Sequence, residues 1–320
     1  MVQLQNPAIG APGYRVFRLP PPGMLLRPQA RGKTDYNLRT GLNPNATIRF
    51  RPPDRMMSIL WLRVALGCYA AGLLYTLVAL TRTREVLNRI ALHSAYLGMI
   101  FHLVSLTESA LSSGQTALAS VQNVESVLGF LIMVVFMVVF LLYHTTSPGI
   151  VVFPLVFLLT LVAATGQQPL LSTQVHRGWL FTHIALILAG YAALVLSFGA
   201  SLLYLIQERS LKSKKSGGIL SRLPALEVID EIGFRSLLLG FPFMTLGLIV
   251  GTVLAQARFG HVNFFDPRIF LSIMMWAVYL LLLYTRWTAG WRGRRAAYLA
   301  SGAFLAAVVA WAANTIHRFV

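Results

Sequence analysis

The chain is built from apolar runs close to 20 residues long, separated by short polar breaks. This pattern decides the fold class. Crossing the hydrocarbon core of a bilayer as a helix takes about 20 predominantly apolar residues, and only helices and closed barrels satisfy their own backbone polar groups there. From Met57 onward we read eight such runs, at residues 57–80, 88–107, 125–143, 149–165, 178–207, 233–257, 267–285 and 297–315. Pro148 and Gly149 punctuate the third and fourth. Composition agrees: hydrophobic residues make up 56% and charged residues 12%, with a mean hydropathy of +0.67, where soluble chains carry about 25% charged residues. The expectation is an all-α, polytopic integral membrane protein with eight transmembrane helices. A single cysteine, Cys68, excludes an internal disulfide framework and a CxxC redox pair.

Residues 1–56 break the pattern. They hold Pro20-Pro21-Pro22, Pro52-Pro53 and nine Arg or Lys, without apolar periodicity. This composition predicts a disordered basic arm, and it lacks the apolar core of a secretory signal. The other reading is a true start at Met56 or Met57, which leaves 1–56 untranslated. The membrane domain is expected over 57–317.

Basic residues orient a membrane bundle. The loops after the first, fifth and seventh runs carry thirteen: Arg82, Arg84, Arg89, Arg209, Lys212, Lys214, Lys215, Arg222, Arg235, Arg286, Arg292, Arg294 and Arg295. Apart from the arm, the opposite side carries four: Arg177, Arg258, Arg268 and Arg318. These loops are therefore expected to be cytoplasmic. The net charge of +17 then reads as cytoplasmic loops facing anionic lipid, not as nucleic-acid binding.

Five of the seven histidines fall toward the opposite, external side: His102, His176, His183, His261 and His317. Neutral imidazole is a haem-iron ligand. It also serves as an interhelical hydrogen-bonding group, and both readings stay open for His102 and His183, where an ionisable side chain at membrane depth is costly. His93, His144, His176 and His261 read as structural.

Within 221–251, Leu223, Leu226 and Ile229 recur at helical spacing opposite Glu227, Asp230 and Glu231. That predicts a short interfacial helix before the sixth span, its acids paired with nearby cations. Gly247 and Gly251 form a GxxxG packing face. Asp266 precedes Pro267 and is placed to cap the seventh span. The chain has no Walker loop, GxSxG or HExxH motif. With no nucleophile in evidence, the expectation is a protein that is not an enzyme. Most acids fall at span ends or in loops, which argues against a proton-coupled transporter.

Four blocks in order carry a family resemblance: HIALILAGYAALVLSFGASLLYLIQERSLK from His183, LPALEVIDEIGFRSLLLGFPFMTLGLIVG, DPRIFLSIMMWAVYLLLLYTR, and GWRGRRAAYLASGAFLAAVVAWAAN. FHLVSL around His102 is a fifth. Over about residues 57–317 the chain resembles the cytochrome c assembly family of haem-handling membrane proteins, the CcsA/CcmC type. The family's tryptophan-rich external loop ends in WDPKE; here it reads ARFGHVNFFDPRIF. Asp266, Pro267 and Arg268 match, while Phe264 and Phe265 stand nearest the missing tryptophans. The family's external histidines are similar in position to His183 and His317. Its histidine near the inner end of the seventh span is Tyr284 here. In these departures the chain resembles the HemX-like or YpjD-like branch, which lacks the tryptophan motif.

The resemblance implies a haem-handling protein of cytochrome c biogenesis in a bacterial inner membrane. It would hold haem b near the outer face between the second and fifth spans. His183 is the first candidate iron ligand, His102 the second and His317 the third. Phe264 and Phe265 would pack the porphyrin, and Arg258 or Arg268 would meet the propionates. The implied partners are haem, other cytochrome c biogenesis membrane proteins or apocytochrome c, and the lipid bilayer. The alternative is a HemX-like scaffold or regulator of haem synthesis that binds no haem and recruits a cytosolic enzyme through the basic loops 209–222 and 286–295.

Overall fold

The structure is a computed structural model, and it describes residues 55–82, 85–112, 121–165, 177–213, 224–262, 264 and 266–316. Residues 1–54 of the basic arm, His176, His317 and Phe265 lie outside the described residues, as do the side chains of Arg258 and Arg268, while Arg55 and Met56, expected in the arm, open the first helix.

Among the described residues eight helices follow one another: α1 (Arg55–Thr81), α2 (Glu85–Ser112), α3 (Val121–Tyr143), α4 (Gly149–Thr165), α5 (Arg177–Lys212), α6 (Leu226–Phe259), α7 (Pro267–Trp287) and α8 (Arg294–Ile316). Each predicted run falls inside one of them. Among the described residues, six are long and apolar enough to cross a membrane: α1, α2, α3, α5, α6 and α7. The expected count of eight is thus met by six on length and composition. α4 is apolar but has only 17 residues, a rise of about 26 Å against a hydrocarbon core of about 30 Å. The side chains of α8 are described only over its first half.

The expected interfacial helix before the sixth span is not separate. It is the first turns of α6, which runs unbroken for 34 residues. No proline lies between Leu226 and Phe241 to break it, and Ile229, Ile232 and Leu237 carry one buried face through the junction. Pro242 sits later in the helix, where neighbouring helices let a membrane span tolerate it.

The α3–α4 turn follows from its residues. His144 adopts φ 51°, a left-handed conformation that histidine visits more readily than most side chains. The Thr145 hydroxyl accepts the Ser147 N–H at 3.4 Å, and α4 starts at Gly149 immediately after Pro148.

In lipid, apolar side chains gain little by leaving the solvent for each other, so helices associate through close backbone approach at small residues. The α5–α6 seam shows this. A Cβ at Gly240 would lie 2.9 Å from the Ala193 Cβ and 3.1 Å from the Gly190 carbonyl oxygen. At Gly247 it would meet the Ile187 Cδ1 at 2.6 Å, and at Gly251 the His183 ring at 2.6 Å. Gly233, Gly240 and Gly247 recur every seven residues, two helical turns apart, so they line one stripe. The GxxxG pair expected from sequence is the end of this stripe.

A substitution test follows. Gly240→Val should lower the melting temperature in detergent, with a cost of about 1–3 kcal/mol for overpacking. Gly67→Ala, where nothing stands within 4 Å, should leave it unchanged. Equal behaviour of the two variants would contradict the seam.

Candidate functional site

Two sets of polar side chains stand apart along the helices. At one end the last turns of α5 and α7 meet the first turns of α6 and α8. Arg286 on α7 donates from Nη1 to Asp230 Oδ1 at 2.9 Å and from Nη2 to Oδ2 at 2.6 Å. Nη2 also reaches the Asp230 carbonyl oxygen at 3.1 Å. The Gly293 N–H donates to Asp230 Oδ1 at 3.2 Å, tying the α7–α8 turn to α6. The Arg286 guanidinium lies 4.6 Å from the Phe234 ring centroid. Ser197, Ser201 and Tyr204 of α5 help enclose a cavity of about 20 Å³ against this pair, room for about one water. Bidentate arginine–carboxylate geometry is among the stronger charged pairs. The acids of this segment were expected to pair with nearby cations. Glu231 does so with Arg235 one turn on, at 2.6 Å, whereas Asp230 pairs instead with Arg286, 56 residues away.

The candidate histidines stand away from this end, His183 in the second turn of α5 and His102 in the middle turns of α2. His102 on α2 is fully buried. Its Nδ1 lies 3.3 Å from the Tyr69 hydroxyl of α1, and its Nε2 lies 2.8 Å from Ser126 Oγ of α3. In either tautomer both ring nitrogens are engaged. Its ring also meets Phe130 edge-on at 5.6 Å. His102 is therefore the polar pin of the α1–α2–α3 junction.

His183 is placed differently. It lies in the second turn of α5, half-buried against α6. Its Nδ1 is 2.8 Å from the Gly247 carbonyl oxygen. A carbonyl only accepts, so Nδ1 is the donor, and Nε2 of the neutral ring keeps its lone pair. Gly251 lets the ring lie directly on the α6 backbone. One turn before, Trp179 is 55% exposed at i−4, on the same side of α5. Sequence reading passed over Trp179, whose relevance is visible only from its spacing to His183. Phe264 is exposed in the loop after α6.

The structure thus gives His102 and His183 different neighbours. The first is held by α1 and α3, the second by α6. Asp266 stands immediately before Pro267, the first residue of α7, and its carbonyl accepts the Phe270 N–H at 2.9 Å. His93 is structural, with Nδ1 2.6 Å from the Arg89 carbonyl oxygen one turn back.

An axial haem ligand needs a neutral imidazole with one nitrogen free and the other oriented by a backbone or carboxylate acceptor. Among the two described intramembrane candidates, His183 meets this and His102 does not.

The chain is similar to known proteins over most of its length. Residues 64–313 match the family described as Cytochrome C assembly protein. The cytochrome c biogenesis protein CcsA of Heterosigma akashiwo (strain NIES-293 / 8280G21-1) is 27% identical over 219 residues, which cover 56% of this chain and 68% of that protein. The CcsA of Prochlorococcus marinus (strain MIT 9215) is 32% identical over 155 residues, covering 42% and 50%. That of Chlamydomonas reinhardtii is 32% identical over 132 residues, covering 41% and 36%. The chain spans between about a third and two thirds of the length of these relatives. With a family match over residues 64–313 of its 320, the chain belongs to the cytochrome c assembly protein family.

Proposed function

We propose that this protein handles haem in cytochrome c biogenesis, holding haem b at the outer face of a bacterial cytoplasmic membrane with His183 as iron ligand. The observation that carries the reading is the His183 Nδ1 bond to the Gly247 carbonyl oxygen. It fixes the tautomer and leaves Nε2 as the ligating atom. The relatives' names support the pathway, since each is a cytochrome c biogenesis protein.

In this reading all eight helices cross or enter the membrane. The end that carries Arg209, Lys212, Arg286, Arg292, Arg294 and Arg295 faces the cytoplasm. Exposed Trp179 and Phe264, with Phe265, offer apolar surface to the porphyrin. Arg258 or Arg268 meets the propionates, and His317 is a further candidate ligand. When bound, haem supplies the iron and the porphyrin. The chain supplies orientation and electrostatics and acts as a binder rather than a catalyst. Its partners are then apocytochrome c or other biogenesis membrane proteins.

One observation favours the second reading, a HemX-like scaffold without haem. Tyr284, which stands where the family carries a histidine, is 60% exposed and offers no nitrogen to a metal.

An absorption spectrum of the detergent-purified protein from haem-replete cells separates the two readings. The haem-handling reading predicts a Soret band with sharp reduced α and β bands. It also predicts that His102→Ala keeps these bands while melting earlier, because the Tyr69 and Ser126 hydroxyls each lose a buried partner at a cost of about 1–3 kcal/mol. A protein that purifies colourless and stays so after haem is added supports the scaffold.

A further inference from the structure

The turn between α7 and α8 carries a charge pattern that the haem reading does not use. Arg292, Arg294 and Arg295 are all exposed. Among the described residues none of the three has a salt-bridge partner, whereas Lys212, Arg235 and Arg286 at the same end are each paired with an acid. α8 has no acidic residue in its first turn. Glu208 acts on Arg294 through space, but it is itself bonded to Lys212 at 2.6 Å.

Two of these guanidinium groups, those of Arg294 and Arg295, are held as well as unpaired. Arg295 lies over the Trp291 ring, 5.9 Å from its centroid, and Arg294 lies 5.4 Å from that of Tyr298. Arg294 Nη2 is also 3.3 Å from the Tyr298 hydroxyl. Gly290 and Gly293 take φ of 61° and 66°, a left-handed backbone that glycine adopts without strain. The Gly293 N–H bond to Asp230 then fixes the turn against α6. Trp287 and Tyr298 are 69% and 55% exposed, and exposed Trp and Tyr at span ends sit at headgroup depth. Leu281 and Tyr284 continue the exposed apolar surface along α7.

We infer that this turn seats the phosphate of an anionic phospholipid. Arg292, Arg294 and Arg295 receive the headgroup, and the acyl chains lie along the exposed face of α7. Arginine suits this role because its planar fork matches phosphate oxygens. The flanking apolar surface selects lipid over free anion. The inference does not rest on haem binding.

The test uses the full chain, delipidated in detergent, with dioleoylphosphatidylglycerol or dioleoylphosphatidylcholine returned and bound lipid counted by native mass spectrometry. The wild type should prefer the phosphatidylglycerol. Arg292→Gln/Arg294→Gln/Arg295→Gln should weaken that binding by about tenfold or more, since each cation near a lipid surface adds measurably to attraction. Arg235→Gln, an exposed cation already paired with Glu231, should not. The Arg→Lys triple variant keeps the charge but not the fork, and should bind phosphatidylglycerol less tightly than the wild type and more tightly than the glutamine triple. If the glutamine triple fails to fold, Arg292→Gln and Arg295→Gln carry the test singly, each expected to weaken binding severalfold. Undiminished phosphatidylglycerol binding in the glutamine variants overturns the inference. So does equal binding of phosphatidylcholine by the wild type, or displacement of the lipid by millimolar inorganic phosphate.

Discussion

Asp230→Ala should cost this protein about 3–5 kcal/mol of stability, the loss expected when one partner of a buried ion pair is removed. The side chains of Arg286 and Asp230 are only 9% and 16% exposed. Without the carboxylate, Arg286 Nη1 loses its acceptor, Nη2 keeps only the Asp230 carbonyl oxygen, and the Gly293 N–H loses its own acceptor. The remaining guanidinium is then uncompensated in a low-dielectric seam. Asp230→Asn should fall between, because an amide oxygen still accepts from Gly293 but no longer balances the charge. Asp230→Leu/Arg286→Met should recover much of the loss, since replacing both members removes the unpaired charge. Denaturation of the four proteins in detergent checks this. A single Asp230→Ala variant that melts with the wild type would show that the pair contributes nothing, as many exposed pairs do.

His183→Ala should remove the second large quantity, haem affinity, while sparing the fold. The residue is half-buried at the end of the α5–α6 seam, and its one described hydrogen bond goes to a helical carbonyl. Its removal therefore strands no buried side chain. If Nε2 ligates iron, affinity should fall by about 100-fold or more, beyond the 10–100-fold typical of losing a group that merely orients a ligand. Gly251→Ala provides the graded case. Its Cβ would lie 2.6 Å from the ring Cε1 and 2.9 Å from Nδ1. The ring must shift and lose its aim, so haem binding should weaken by about tenfold. Haem titrations followed at the Soret band give both numbers.

Much of this bundle is readable in the sequence because lipid imposes a simple rule on length and polarity. The fourth run, 149–165, coincides with α4 because Pro148 and Gly149 mark its start. Asp266-Pro267 likewise announces α7. Features set by tertiary pairing are less visible. The glycine stripe of α6 shows in sequence only as the common GxxxG pair at Gly247 and Gly251. Its importance comes from Ala193, Ile187 and His183 on another helix. The acids near Glu227 look like an interfacial segment until Asp230 is seen to meet Arg286, 56 residues away.

The same limit applies to the histidines. His102 and His183 look alike in sequence, each an ionisable group within an apolar run. Tyr69 and Ser126, 33 and 24 residues distant, consume both nitrogens of the first. Gly247 takes one nitrogen of the second. Spacing along the chain cannot express that difference, because it depends on which helices become neighbours. Trp179 is the part of this site that spacing does express, since it stands four residues before His183 on the same helical face.

The most direct test of the central claim is chemical rescue at His183. His183→Gly removes the imidazole and leaves a space of its shape beside Gly251. The purified variant, given haem, should show little of the wild-type Soret band. Added imidazole should restore that band and the reduced α and β bands, with the Asp230–Arg286 end unchanged and the melting temperature near that of the wild type. A His183→Gly protein with the wild-type spectrum in the absence of imidazole would contradict ligation by His183.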